Sequence, residues 1–281
     1  MGISKKANIA ANTTAVKRLH KKPSGKEAGW IKKIICIIAF FIIWIGSVKI
    51  FQIKPIYIPA PSDILNSLYN MRDSLASSIL ASLGITMSGF LIGCAIGIGM
   101  GLLMAYSKGF MNTVGPFMEF TRPIPIFAMI PLFMIWFGLG LWPQILLIAL
   151  GVSAVLGVQT YEAVRNIPVV YVNASHNLGA NKRTMFRTVI IPYIVPHIIG
   201  AVRVAAATSW GLDVAAEFMG VQVGLGYIMI VRQMYLDTPG IIAIVLIYSI
   251  LAIILDQLIR LLERRLTRWT DRSKISFDKV K

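Results

Sequence analysis

Arg203, Asp213 and Glu217 stand inside residues 188–218, a run otherwise dominated by apolar residues. Ionisable side chains at membrane depth are costly and usually face a water-filled cavity or a charged partner. Arg203 and Glu217 are fourteen positions apart, so on a helix they share nearly one face, about 21 Å apart along the axis. Asp213 and Glu217, four positions apart, are neighbours on that face. Such a face suits the wall of a solute pathway, with Arg203 placed to attract an anion in the inner half. The same Arg203 could instead pair with an acid on another span, Glu119 or Asp256, and the residues alone leave both readings open. Asp213 and Glu217 are candidates for an outer gate, for contacts with an external protein, or simply for the membrane interface.

Other chemistry finds little support. His20, His176 and His197 do not cluster, and no His/Asp/Glu spacing suits a metal. Cys36 and Cys94 lie inside apolar runs and read as small apolar fillers. No glycine-rich loop leads into Lys-Ser/Thr, so a nucleotide cradle is not expected in this chain.

A second polar stretch, Asn173-Ala174-Ser175-His176-Asn177-Leu178-Gly179-Ala180, interrupts the apolar runs and is followed by Lys182 and Arg183. It reads as a short helix at the membrane surface, offered to a soluble partner. Ala174, Gly179 and Ala180 permit close contact, and Gly179 can take the positive φ that ends a helix. His176, with no acid near it in sequence, reads as a solvated side chain rather than a pH sensor.

The 281 residues have a mean hydropathy of +0.72 and only 14% charged residues, against about 25% in soluble domains. That composition describes an integral membrane protein. The net charge of +16 is concentrated beside apolar runs: before residue 34, at Arg165, Lys182, Arg183 and Arg187, and from Arg260 onward. This is the pattern that holds Lys and Arg on the cytoplasmic side, with lipid headgroups as secondary partners. No aromatic-basic platform accompanies the charge, so nucleic acid is not expected as a partner.

The elements that must position these residues are membrane helices. We expect a cytoplasmic tail over 1–33, a membrane domain over 34–269 and a second cytoplasmic tail over 270–281. Six spans are expected, at 34–53, 78–106, 115–137, 143–162, 188–218 and 240–259. Ser62 is a plausible cap for an outer surface helix, residues 163–187 form a cytoplasmic loop, and 220–238 form an outer loop with a short re-entrant piece. The uncharged run 123–161 is too long for one span, and Gly138-Leu139-Gly140-Leu141-Trp142-Pro143 supplies the break. Gly89, Gly93, Gly97 and Gly101 recur every fourth residue, a smooth ridge against which another helix can pack. Arg122 sits at the cytoplasmic edge of the third span, where it can snorkel. Both termini fall on the cytoplasmic side.

Four stretches, in order, resemble the permease subunits of binding-protein-dependent ATP-binding-cassette importers, most of all the sulfonate, taurine and nitrate branch. They are Ile58-Pro59-Ala60-Pro61-Ser62, Arg122-Pro123-Ile124-Pro125 with Ile130-Pro131-Leu132-Phe133 and Trp136-Phe137-Gly138, Asn173 through Ala180 with Pro192, and Ala216-Glu217 with Gly224-Leu225-Gly226-Tyr227. The resemblance covers roughly 58–269. It implies an all-α, type I importer transmembrane domain whose loop helix couples to an ATPase through Asn173, Ala174, Ser175, Leu178, Gly179, Ala180, Lys182 and Arg183. It also implies a second, identical permease chain, a cytoplasmic ATPase dimer that binds ATP and Mg, an extracytoplasmic binding protein, and residence in the bacterial inner membrane. The usual Glu-Ala-Ala opening reads Asn173-Ala174-Ser175 here, so the carboxylate is missing. The branch carries sulfonates, taurine, nitrate, bicarbonate and thiamine-precursor-like molecules; a small anion is expected, with a thiamine precursor as the alternative. A self-contained ion-coupled transporter is the competing class, but the two halves show no convincing repeat.

Overall fold

A computed structural model of the chain describes residues 25–121, 123–218 and 222–267. The greater part of both expected tails, and Arg122 with its expected snorkelling role, lie outside them.

Residues up to Asp63 form one unit and Ile64 onward another. In the first, α1 spans Gly25–Ile50. It starts before the apolar run, so the last part of the expected tail is helical; Lys26, Glu27 and Ala28 are good helix formers. Phe41 stacks on Trp44 with centroids 5.9 Å apart, and Trp44 Nε1 donates to the Pro59 carbonyl at 3.2 Å. Helix α2 begins at Pro61 and runs to Asn70. Pro61 opens it, and Asp63 reaches back to accept from the Ala60 N–H at 3.1 Å, half of a capping box. Asp63, rather than the expected Ser62, therefore holds this helix start.

The second unit is built on α3 (Arg72–Tyr106) and α6 (Leu141–Arg165). The two run parallel in close contact. A Cβ added at Gly89 would lie 2.7 Å from Ile148 Cβ, at Gly93 2.6 Å from Val152 Cβ, at Gly97 2.7 Å from the Ser153 carbonyl, and at Gly101 2.6 Å from the Gly157 carbonyl. All four glycines thus bring the α3 backbone onto α6. In lipid, where burying apolar surface gives no net drive, such close packing is what holds helices together. Ile85 and Phe90 of α3, Ile148, Val152 and Leu156 of α6, and Ala205, Ala206 and Leu212 further along form the central core.

The expected third span, 115–137, is not one helix. Helix α4 (Lys108–Thr121) and the segment Ile126–Phe137, a single tight turn followed by α5 (Ile130–Phe137), meet at 91°. Pro123 and Pro125 lack the N–H that would continue α4, and prolines disfavour helical geometry in the residue before them. The chain then turns at Gly138 (φ +77) and Gly140 (φ +152) into α6, as the Gly-Pro signal required.

Helix α7 (Val169–Asn177) follows, then a continuous helical stretch from Lys182 to Glu217. That stretch is α8 (Lys182–Met185), a π turn at Phe186–Ile190 and α9 (Ile191–Glu217). The expected fifth span thus starts earlier than 188. Pro192 follows directly on the π turn, where the regular backbone ladder of the continuous stretch is already interrupted. Helix α10 (Leu225–Met234) and the long α11 (Thr238–Leu266) complete the unit. Among the described residues, four helices are long and apolar enough to cross a membrane, five if the bent pair counts as one span; the apolar part of α1, Ile34–Ile50, is shorter.

Candidate functional site

The loop helix α7 ends as its sequence demands. Gly179 has φ +74, its N–H donates to the His176 carbonyl at 2.9 Å, and the Ala180 N–H donates to Ser175 at 3.0 Å, a Schellman-type closure. Val169, Val170, Tyr171 and Leu178 are exposed, Leu178 at 87%. Asn173 and Ala174 are exposed too, whereas Ser175 is buried and donates to the Val172 carbonyl at 2.7 Å. Beneath the helix, Ile167, Phe186, Ile190 and Ile194 form an apolar seat. Lys182 lies over the Tyr106 ring at 4.4 Å from its centroid, and that ring meets Phe186 edge-on at 5.2 Å. Lys182 is thereby tied to the end of α3, and both it and Arg183 are exposed. Asn181, missed in the sequence, caps α8 by accepting from the Thr184 N–H at 2.8 Å; an Asn just before Lys-Arg-Thr was the available signal.

The charges of α9 part company. Arg203 Nε donates to Asp256 Oδ1 of α11 at 2.7 Å, and Arg260 holds the other oxygen of Asp256 at 2.7 Å. Of the two partners left open, Asp256 is the one bonded; Glu119 lines a small cavity of about 90 Å³ with Tyr161 and Arg165. The Arg203 side chain keeps 33% of its surface exposed.

Asp213 and Glu217 are both 0% exposed. Both belong to a buried polar knot. Glu217 Oε1 accepts from Ser82 of α3 at 2.5 Å, and the Gly226 N–H of α10 donates to Oε2. Ser82 Oγ in turn accepts from the Leu225 N–H at 2.8 Å. Tyr248 Oη of α11 lies 3.1 Å from Asp213 Oδ2 and 3.1 Å from Glu217 Oε2. The first N–H groups of a helix have no partner within it; here one carboxylate and one serine oxygen accept from them at the start of α10. Gly224 has φ +118, and a Cβ there would run into the Glu217 carboxyl. At Gly226 a Cβ would lie 2.6 Å from Glu217 Oε2. The spacing Ala216-Glu217 to Gly224-Leu225-Gly226 therefore records a carboxylate seated against a helix start. Nearby, Gln144 Nε2 donates to the Ala216 carbonyl at 3.2 Å.

A second acid organises the other end of α10. Asp237 accepts from Arg232 at 3.1 Å, from Ser67 of α2 at 3.3 Å, and from the Gly240 N–H at 3.1 Å as the cap of α11. Sequence reasoning named neither Asp237 nor Ser82 nor Tyr248. For Asp237 the signal was an Asp two residues before Pro239; for the other two there was none.

Residues 93–268 match the family model described as "Binding-protein-dependent transport system inner membrane component". The chain belongs to this family. It is a permease subunit of an ATP-binding-cassette importer. The permease is 35% identical over 220 residues to a probable ABC transporter permease protein of Brucella abortus, covering 78% of this chain and 88% of that one. It is 30% identical over 234 residues to the taurine transport system permease protein of Escherichia coli, covering 81% and 85%. In fold it is similar to a chain of the methionine ABC transporter MetNI solved in inward-facing conformations, with a TM-score of 0.57 at 24% identity over 71% of this permease and 97% of that chain.

Proposed function

We propose that this permease pairs with a second copy of itself to form the pathway for a small anionic solute of the sulfonate, taurine, nitrate or bicarbonate kind. It does so by alternating access in a bacterial cytoplasmic membrane, with both termini on the cytoplasmic side. An extracytoplasmic binding protein delivers the solute. A cytoplasmic ATPase dimer, carrying the ATP and Mg, grips α7 through Asn173, Ala174, Leu178 and Gly179. The observation that carries this reading is the surface of α7. A short helix between two spans turns Val170 and Leu178 to solvent, and exposed apolar groups rimmed by polar ones mark protein contacts. Asn173 supplies a hydrogen-bonding side chain where the family has an acid. The anion class is supported by the likeness to the taurine permease and by Arg203, whose guanidinium stays partly exposed beside Asp256.

The test is reconstitution of the permease with its ATPase and binding protein, with uptake of taurine and aliphatic sulfonates as the readout. Gly179→Asp should leave the protein inserted, keep ATP hydrolysis and abolish uptake. Normal uptake by that variant would sink the coupling role of α7. Uptake of a thiamine-precursor-like pyrimidine and of no anion would sink the solute class alone.

A further inference from the structure

The polar knot at the start of α10 contains one proton too few when both acids are ionised. Ser82 has a single hydroxyl hydrogen, and its oxygen already accepts from the Leu225 N–H, so that hydrogen goes to Glu217 Oε1. Gly226 supplies its N–H to Glu217 Oε2. Tyr248 also has one hydroxyl hydrogen, yet its oxygen stands 3.1 Å from a carboxyl oxygen of each acid. An ionised carboxylate only accepts. With two carboxylates, one of these contacts would be oxygen against oxygen with no hydrogen between them.

The two acids are not equivalent. Glu217 receives donors on both oxygens, the surroundings of an anion. Asp213 meets the shared phenol through Oδ2, while its Oδ1 and the nearby buried Thr86 Oγ1 lack a well-formed hydrogen bond. No Lys, Arg or His is ion-paired with either acid among the described residues. The groups brought to the pair are neutral: Ser82 and Thr86 of α3 and the phenol of Tyr248, with Gln144 on the Ala216 carbonyl and the Trp210 ring against Tyr248. A second unpaired negative charge at this depth would be severely penalised.

We propose that Asp213 carries a proton and donates it to Tyr248, which donates to Glu217, so that the chain Asp213–Tyr248–Glu217 holds one negative charge. That charge sits on Glu217 and clamps the amino end of α10. Asp213 and Tyr248 are positioning residues: they orient Glu217 and join α9, α11 and α10, with Ser82 of α3, into one body that moves together. With the proton on Oδ2, Oδ1 is the carbonyl oxygen, and it is the atom left for the Thr86 hydroxyl.

The test is infrared spectroscopy of the full-length permease in lipid nanodiscs. It reads the proton directly, whether or not the proposed solute is correct. The wild type should show a protonated-carboxyl C=O band that shifts on deuteration. Asp213→Asn should lose that band and, because the Asn amide N–H replaces the donated proton, keep uptake within about twofold of wild type. Glu217→Gln should keep the band and lose uptake at least about tenfold, because it removes the charged acceptor. Thr86→Val keeps both acids and should shift the band without abolishing it. Absence of the band in the wild type, its survival in Asp213→Asn, or a band unmoved by Thr86→Val would overturn the proposal.

Discussion

Around α7, polar and apolar side chains alike face water, and the helix is held from below by Phe186, Ile190 and Ile194. At the amino end of α10 the arrangement is reversed: Ser82, Asp213, Glu217 and Tyr248 are turned inward and bonded to one another. Both regions finish a helix end, but in different solvents. In water, Gly179 needs only its own backbone, since the remaining groups can bond solvent. Inside the bundle each group must find a partner in the protein, so α10 recruits side chains from α3, α9 and α11. One region is a local device open to an outside partner; the other is a tertiary device closed on itself.

Substitutions should separate the two sharply. The largest effect is expected for Glu217→Ala, which strips Ser82 and the Gly226 N–H of their acceptor. It should destabilise the permease by about 3 kcal/mol, seen as a lower melting temperature in detergent. Gly224→Ala comes next, because its Cβ meets the Glu217 carboxyl at a backbone angle that favours glycine. A loss of about 2 kcal/mol is expected, and a Gly224→Ala protein melting with the wild type would show that α10 is not seated as described. Tyr248→Phe keeps the ring and removes only the shared hydroxyl, for a loss of about 1–2 kcal/mol.

On α7 the expectation inverts. Leu178→Ser should change stability by less than about 0.5 kcal/mol, since the side chain is 87% exposed. It should nonetheless weaken co-purification of the ATPase. If Leu178→Ser unfolded the permease, or left ATPase capture untouched, the contrast between an open and a closed region would fail.

Much of the frame was legible because it depends on local backbone chemistry. Gly138 and Gly140 break the long uncharged run, Gly179 ends α7, and the four-residue spacing of Gly89 through Gly101 puts those residues on one face. The proline cluster at 123–125 was legible as a break in principle, but the apolar run across it read as one span. Hydrophobicity alone does not report direction, and a 91° bend costs nothing in composition.

The buried knot was half legible. The spacing of Asp213 and Glu217 put them together, and their membrane depth marked them as special, but it also suggested an open face. The partners that close the face are remote: Ser82 lies 135 positions from Glu217 and Tyr248 lies 31. Serine and tyrosine are common residues, and neither carried a signal on its own helix.

By itself, then, the chain determined where the backbone breaks and turns, at Gly138, Gly140 and Gly179, because positive φ acts within a few residues. Tertiary structure alone decided which charges face each other. Arg203 found Asp256 and Glu217 found the start of α10 because nearness is set by packing, not by sequence distance.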